Sequence, residues 1–300
     1  MKKTVLIILL ISSSLVSSCQ TEDFMEEIHL EQDSIPEVDD VGIKIEKYMK
    51  QNSSGSVQGA SCYGDYLFQF QDHNTNVYIY NLKDKTFIEK VSMEPVSSNH
   101  CNNVSFSNVF YEKEDEYPLL YVSGSGSGTY NQVQVYRIFH NDTFLLEKVQ
   151  NIKFPKGDDT NHMFWTQVMI DNEEGYMYVL SKTQSNGGTF ISKFNIPSLD
   201  DSEVQLVNDD IIEQFEVTNS IHKQGAVVYK GFLYIMYGVP GWGDTNYFRI
   251  IDLVNKEDYM TINISEMGFN QEFEGLTVYK DMLIAPTNGS GIFSIKLYLK

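Results

Sequence analysis

Basic residues are scarce in this chain, which has 22 Lys and Arg against 41 Asp and Glu and a formal charge of −19 at pH 7. A field of that sign repels phosphate backbones, so the composition disfavours nucleic-acid binding, and no nucleic-acid partner is expected. Proline is scarce too, and 7 Pro with 20 Gly exclude a collagen-like or Pro-rich fibre. Aromatic residues, in contrast, make up 13% of the chain, which excludes a disordered protein.

Several motifs of metal sites and hydrolases are also missing. The sequence has no HExxH, no CxxC pair and no EF-hand spacing, so none of these motifs assigns a metal, and no cofactor is expected. It has no Gly-x-Ser-x-Gly elbow for a Ser-His-Asp hydrolase. The Ser-Gly run at residues 123–128 lacks the Gly-Lys-Ser/Thr ending of a phosphate-binding loop, and we interpret it as a loop between strands.

Long apolar runs are confined to the N-terminus. A basic start at residues 1–3 is followed by an apolar stretch at 5–11 and a small, polar stretch at 12–18 that ends at Cys19. This order is typical of a secretory signal, and it is too short to span a bilayer as a mature helix. We therefore expect residues 1–18 to be a signal peptide.

The end of this signal resembles a bacterial lipobox, in which the cysteine is acylated and the chain is cut before it. The matching tetrad is Val16-Ser17-Ser18-Cys19, and an ordinary signal peptide with an incidental cysteine is the alternative. An acidic segment follows, which resembles the surface-export signal of lipoproteins from Bacteroides-type bacteria. We expect residues 19–41 to be the acylated cysteine and an acidic tether of an outer-membrane lipoprotein at the cell surface, with the periplasmic face left open.

The remainder of the chain is repetitive. The segments that begin at Gln58, Gln224 and Glu274 align without gaps, with Gly one residue, Tyr five residues and Leu nine residues further on. Each reads as a strand, a tight turn and a second strand. Weaker copies begin at Asn103 and Gln167, so the starts are 45 to 64 residues apart. That period is close to the ~40–50 residues of a four-stranded propeller blade.

These repeats predict an all-β protein with one domain at residues 42–300, a five-bladed β-propeller. The last repeat has room for only three strands, and the alternating segment at residues 43–48 can supply the fourth beside residues 292–297. Such pairing of the chain ends removes the exposed sheet edges. A six-bladed ring is the main rival, because the interval of 64 residues has room for extra strands.

The first inner-strand position is polar in every repeat, and we expect the five side chains to surround one axis: Gln58, Asn103, Gln167, Gln224 and Glu274. One interpretation is that they bond neighbouring inner strands and satisfy buried backbone groups. The other is that they hold a cation, a water cluster or a polar ligand at the tunnel mouth. His100, His222 and Glu272 lie just upstream of their repeats and are the nearest candidate ligating or basic side chains.

Both tryptophans fall near the same mouth. Trp165 directly precedes the third inner strand, and Trp242 lies in a Gly-rich loop at residues 238–244. Aromatic faces beside amides suit a sugar ring or a peptide side chain, whereas packing between blades is the alternative. Cys62 and Cys101 fall on neighbouring inner strands, where they are either paired or buried as free thiols.

The Gln/Glu-Gly starts, as in Val57-Gln58-Gly59-Ala60 and Phe273-Glu274-Gly275-Leu276, resemble those of the glutamine cyclotransferase-like five-bladed propellers. The resemblance covers residues 42 to 300. It implies cyclisation of an N-terminal glutamine, with Glu274 in the place of the proton-shuttling carboxylate. Our expectation from the residues themselves is a monomeric, non-enzymatic module that binds a glycan or peptide at the mouth, and the cyclotransferase is the alternative.

Overall fold

The structure is a computed structural model, and it describes residues 27–32, 35–53, 56–71, 76–93, 101–124, 131–155, 163–182, 188–217 and 222–300. The predicted signal peptide and Cys19 lie outside these residues. The described chain is almost entirely β, with three short 3-10 turns at Val38–Asp40, Asn208–Asp210 and Pro240–Trp242. No helix among the described residues is long and apolar enough to cross a membrane.

Five antiparallel sheets form the five blades of a propeller. The chain enters through β1 (Glu27–Ile28) and β2 (Val41–Met49). Blade 1 contains β3 (Val57–Tyr63), β4 (Tyr66–Gln71), β5 (Asn76–Asn81) and β6 (Thr86–Ser92). Blade 2 contains β7 (Cys101–Phe106), β8 (Leu120–Gly124), β9 (Gln132–Asn141) and β10 (Thr143–Lys153).

The other three blades follow the same order. Blade 3 contains β11 (Phe164–Asp171), β12 (Tyr176–Lys182), β13 (Thr189–Asn195) and β15 (Glu213–Val217), while the intervening β14 (Glu203–Gln205) adds in parallel to β10 of blade 2. Blade 4 contains β16 (Lys223–Tyr229), β17 (Phe232–Tyr237), β18 (Tyr247–Asp252) and β19 (Glu257–Asn263). Blade 5 contains β20 (Thr277–Tyr279), β21 (Met282–Pro286), β22 (Ile292–Leu299) and, as its outer strand, β2.

The prediction of five blades is confirmed, and so is the closure by the two chain ends. Strand β2 pairs with β22 in antiparallel register, with Ile43 opposite Leu297 and Ile45 opposite Ile295. The six-bladed alternative is wrong, because the longest interval between repeats is filled by a loop at residues 107–119 and by the long strands β9 and β10. Apolar side chains on the faces of neighbouring blades pack together and form the core between them.

Tight turns join the inner strands to the second strands. At Lys230-Gly231 and at Lys280-Asp281 both central residues have positive φ, which is the geometry of a two-residue hairpin turn whose twist matches the flanking strands. These turns lie at one end of the propeller, which we call the base face. The inner strands begin at the opposite end, which we call the mouth face.

The first described residues pack onto the base face. Strand β1 pairs with the last residues of β22, and Leu30 is only 1% exposed in the core between blades 4 and 5. The Gln32 side chain donates from Nε2 to Gly231 O at 3.1 Å, and Glu31 forms a 2.7 Å ion pair with Lys230. The part of the expected tether that the structure describes therefore lies against the ring.

Candidate functional site

The five polar starts of the inner strands occupy corresponding positions in the blades. Gln58, Asn103 and Gln167 lie opposite Phe70, Ser123 and Leu180 of their second strands. The backbone of Glu274 donates to Pro286 O at 2.9 Å, and Gln224 lies in the irregularity between Lys223 and Ala226. All five are at most 9% exposed.

The amide side chains among these five residues form a polar ring and donate hydrogen bonds to other blades around the propeller axis. Asn103 of blade 2 donates from Nδ2 to Val168 O of blade 3 at 2.9 Å and to Ala226 O of blade 4 at 3.0 Å, while its Oδ1 accepts from Ala226 N at 3.2 Å. Gln167 donates from Nε2 to Asn102 O at 3.2 Å and to Gln224 O. These are the bonds expected of amides that connect neighbouring inner strands and satisfy buried backbone groups.

Glycine brings the inner strands together next to the ring. A Cβ added to Gly275 would lie 2.8 Å from Ala60 N of blade 1, so the backbones of these two inner strands are in contact. Glu274 is 2% exposed beside this contact. Among the described residues no group of three or more His, Cys, Asp or Glu side chains is placed to hold a metal ion.

Among the described residues, two exposed aromatic side chains of the mouth face lie at the junction of blades 3 and 4. Trp242 is 75% exposed and Trp165 is 46% exposed. His222 packs edge-on against the Trp242 ring with 5.0 Å between the ring centroids, and its Nδ1 lies 2.7 Å from Asp244 Oδ2. Three of the residues expected at the mouth, Trp165, His222 and Trp242, thus lie at this junction.

The loop that carries Trp242 is held at both ends. Gly238 N donates to His222 O at 2.8 Å, and Val239 N donates to Asp244 Oδ2 at 3.1 Å. Burial raises the pKa of the Asp244 carboxyl, but the hydrogen bonds from His222 and Val239 outweigh it and hold the pKa below its usual value. The carboxylate therefore fixes the loop while the indole stays exposed.

Two lysines at this junction were not identified from the sequence. Lys223 is 8% exposed and donates from Nζ to Trp165 O at 2.9 Å and to Leu180 O at 3.2 Å. Burial, and then the charge of Lys182, hold the pKa of Lys223 well below its ordinary value. Burial also lowers the pKa of Lys182, and Asp244 partly opposes this.

Lys223 helps to fix the backbone that presents Trp165. Trp165 has a φ of 53°, in the left-handed region that non-glycine residues rarely adopt. Its carbonyl accepts from Lys223 and also from Asn102 Nδ2 at 3.3 Å. We call the six residues of this junction the mouth cluster: Trp165, Lys182, His222, Lys223, Trp242 and Asp244.

The remaining expected site residues fall outside this cluster. Glu272 accepts from Gln224 Nε2 at 3.2 Å through Oε1 and from Asn288 Nδ2 at 3.1 Å through Oε2, so it lies beside the ring. His100 lies outside the described residues. Cys62 and Cys101 are not joined in a disulfide.

The comparisons with known proteins support the fold. No protein-family model and no curated sequence matches the chain. Among solved structures, Myxococcus xanthus glutaminyl cyclase has 10% identity and a TM-score of 0.51, and the match covers 87% of this chain and 97% of that one. The PQQ-bound aldose sugar dehydrogenase from Streptomyces coelicolor has 10% identity and a TM-score of 0.50, with 86% and 98% covered.

A third solved structure, Kuenenia stuttgartiensis hydrazine synthase, has 12% identity and a TM-score of 0.43 over 76% of this chain, and the match spans 61% of that longer protein. Identities this low establish shared architecture rather than shared chemistry. The protein is a five-bladed β-propeller with glutaminyl cyclase among its structural neighbours.

Proposed function

We propose that this protein is a lipid-anchored, extracytoplasmic binding module that takes a glycan or peptide ligand at the mouth cluster without chemical turnover. The observation that carries the proposal is the pair of exposed indoles, Trp165 and Trp242, at the junction where His222 and Asp244 form a polar pair. Exposed aromatic faces beside fixed hydrogen-bonding groups suit sugar rings and peptide side chains.

The way in which Trp242 is held supports a binding role. Its loop is fixed by Asp244 and by the backbone of His222, so little ordering of the loop is needed when a ligand docks. The exposed indole makes few packing contacts of its own and is therefore expected to contribute little to folding. A residue held in this way is suited to be an anchor for binding.

The test is a glycan and peptide array probed with the Cys19→Ala protein, followed by calorimetry on any hit. Trp242→Ala should weaken binding by roughly 30-fold, the loss expected at an aromatic anchor, and leave the melting temperature unchanged. Phe110→Ala, which removes an aromatic ring that is 37% exposed elsewhere, is the matched control. Equal binding by both variants would contradict the proposal.

Cyclisation of N-terminal glutamine is the alternative function. It is motivated by the Gln/Glu-Gly repeats and by the fold shared with a glutaminyl cyclase. A carboxylate that moves the substrate's proton must reach that substrate, and the 2% exposure of Glu274 argues against such a role. Pyroglutamate formation from Gln-peptides that is lost in Glu274→Gln would favour the enzyme over the binding module.

A further inference from the structure

The base face has an open cavity of 710 Å³ between blades 3 and 4, on the opposite side of the ring from the mouth cluster. One wall is a face of blade 3, the other is formed by two turns of blade 4, and Glu31 and Gln32 of the N-terminal segment lie along its edge. Its lining carries charge of both signs, with five carboxylates and three lysines. A cavity of this size is within the range that binds small molecules in proteins.

Two of the three lysines have acidic partners within the cavity wall. Lys230 forms a 2.7 Å ion pair with Glu31, which holds the N-terminal segment against blade 4. Lys256 forms an ion pair with Glu213, which joins the turn of blade 4 to the outer strand of blade 3. These four side chains therefore define the edges of the cavity and neutralise one another.

The third lysine is placed differently. The Nζ atom of Lys193 lies 3.7 Å from the centroid of the Tyr176 ring and 5.6 Å from that of Tyr178. No carboxylate of the described chain pairs with it, because Glu213, the residue opposite Lys193 on the next strand, is taken by Lys256. The ammonium group of Lys193 is therefore available to a ligand.

A buried hydroxyl group lies beside this ammonium group. Tyr178 is directly opposite Lys193 in the pairing of β12 with β13 and is 6% exposed. Its ring packs in the core between blades 3 and 4, and the residue also lines the cavity, so its hydroxyl end is the part that reaches the cavity. This hydroxyl has no hydrogen-bond partner in the part of the chain that the structure describes. Such a group is costly to bury unless something binds it.

Carboxylates lie on the same face of blade 3, nearer its base end. Asp171 is opposite Tyr176, two residues and therefore roughly 7 Å along the strand from the row of Tyr178. It is 4% exposed, and its Oδ1 accepts from Glu173 N at 3.0 Å and from Glu174 N at 3.2 Å. The side chains of Glu173 and Glu174 line the cavity as well. The cavity thus has an acidic outer part and a lysine–hydroxyl pair deeper in.

The protonation of the hydroxyl agrees with this arrangement. Burial, and then the carboxylates of Asp171, Glu213 and Glu174, raise the pKa of Tyr178 to about 12. The hydroxyl therefore keeps its proton at neutral pH and can donate it to an anionic group of a ligand.

We infer that this cavity is a second ligand site, which binds a free α-amino acid with an apolar side chain as its zwitterion. The ligand carboxylate accepts from Lys193 Nζ and from the Tyr178 hydroxyl, and the ligand ammonium group faces Asp171 and the glutamates beside it. An anion alone is repelled by those carboxylates and a cation alone by Lys193, so a ligand with both charges fits best. Leu253 and Val254 line the opposite wall, where Val254 is 65% exposed, and they suit an aliphatic side chain. This site is independent of the one proposed at the mouth.

Three probes that differ at one end test the inference: L-leucine, L-leucinamide, which lacks the carboxylate, and N-acetyl-L-leucine, which lacks the ammonium group. In calorimetry with the Cys19→Ala protein, leucine should bind at least about tenfold more tightly than either derivative, because each derivative loses a charge-assisted contact. Equal binding of leucine and either derivative, or no binding of leucine, would overturn the zwitterion site.

The variant Tyr178→Phe removes the unpartnered hydroxyl alone. It should weaken leucine binding about tenfold and leave the melting temperature unchanged, because that hydroxyl bonds to no other described group. Tyr111→Phe, at a tyrosine that is 40% exposed on the loop of blade 2, is the matched control and should bind leucine normally. Unchanged affinity in Tyr178→Phe would contradict the assignment.

The charged contact is tested separately. Lys193→Met should abolish the preference for leucine over leucinamide, and Lys193→Arg should keep most of it. Lys90→Met, which removes the same charge from an exposed position on blade 1, should leave the preference intact. A preference that survives in Lys193→Met would overturn the role of this lysine.

One further variant separates this site from the mouth. Trp242→Ala should leave leucine binding unchanged, since the indole lies on the other face of the ring. Loss of leucine binding in Trp242→Ala would locate the ligand at the mouth and overturn the inference. Glycan or peptide binding at the mouth is decided by the arrays and does not depend on the result with leucine.

Discussion

Gly225 and Gly275 bring two inner strands into direct backbone contact at the axis of the propeller. A Cβ built on Gly225 would lie 2.1 Å from the carbonyl carbon of Gly275 and 2.4 Å from Leu276 N. Real side chains do not approach backbone atoms this closely, so any larger residue must push blades 4 and 5 apart. The glycine that follows Gln224 is therefore required by packing.

We predict that Gly225→Ala destabilises the protein by at least about 3 kcal/mol, the upper part of the range for overpacked sites. The free energy of unfolding in urea measures the effect. Gly241→Ala is the matched control, since a Cβ there meets no atom within 4 Å, and its cost should stay within about 0.5 kcal/mol. Similar losses in the two variants would show that close approach at the axis is not the cause.

The N-terminal segment provides a second prediction about stability. Leu30 is 1% exposed among the side chains of blades 4 and 5, so Leu30→Ala should cost about 2–5 kcal/mol through lost burial and a cavity. Val38→Ala, at a side chain that is 42% exposed, should change stability little. An unfolding midpoint that Leu30→Ala leaves unchanged would mean that this segment does not contribute to the fold.

The Cys62 thiol gives a prediction that depends on pH. Burial raises its pKa from 9.0 to about 11, and its Sγ donates to Val278 O at 2.6 Å. Because the pKa of Cys62 is higher in the folded than in the unfolded protein, the unfolded state loses the thiol proton first as the pH rises. The free energy of unfolding is therefore unaffected by this thiol below about pH 9 and falls as the pH rises from about 9 to about 11.

Peptide-level mass spectrometry after treatment with iodoacetamide at pH 8.5 measures the same shift. Cys62 in the folded protein should react roughly a hundredfold more slowly than in urea, since a rise of two units reduces the thiolate fraction by that factor. Equal rates in the folded and unfolded protein would contradict the raised pKa.

The predicted acylation of Cys19 is tested by cell fractionation. Cys19→Ala should move the protein from the membrane to the soluble fraction, because a lipid chain is the only proposed attachment. Ser18→Ala keeps the cysteine and a small residue before it, and it should remain with the membrane. Retention of Cys19→Ala in the membrane fraction would contradict the lipoprotein proposal.

The number of blades could be predicted from the sequence because the same short pattern of strand and turn residues recurs at the start of the repeats. The Gln/Glu-Gly pair, the Tyr five residues from the start and the tight turn recur at Gln58, Gln224 and Glu274, and each element is fixed by contacts within its own repeat. The closing strand was equally accessible, because the alternation at residues 43–48 signals an amphipathic strand.

The chemistry of the mouth was harder to predict. From the sequence alone, Lys223 would be expected at the surface. Its burial is possible because the carbonyl groups of Trp165 and Leu180, in another blade, accept its hydrogen bonds. Such acceptors have no sequence signature. Leu30 was missed for a related reason, since an apolar residue in an acidic segment has no periodicity, and the core that it joins includes side chains of blades 4 and 5 about 200 or more residues away.

The entry of the chain at the base face fixes the direction in which an anchored molecule would present its opening. Strand β1 begins at Glu27, beside the last residues of β22 and on the opposite side from Trp165 and Trp242. Glu27 is the eighth residue after Cys19, and the chain between their Cα atoms spans at most about 28 Å when fully extended. A lipid on Cys19 would keep the base face close to the bilayer and turn the indoles towards the medium. Molecules that diffuse towards the cell would then reach the indoles before they reach the membrane.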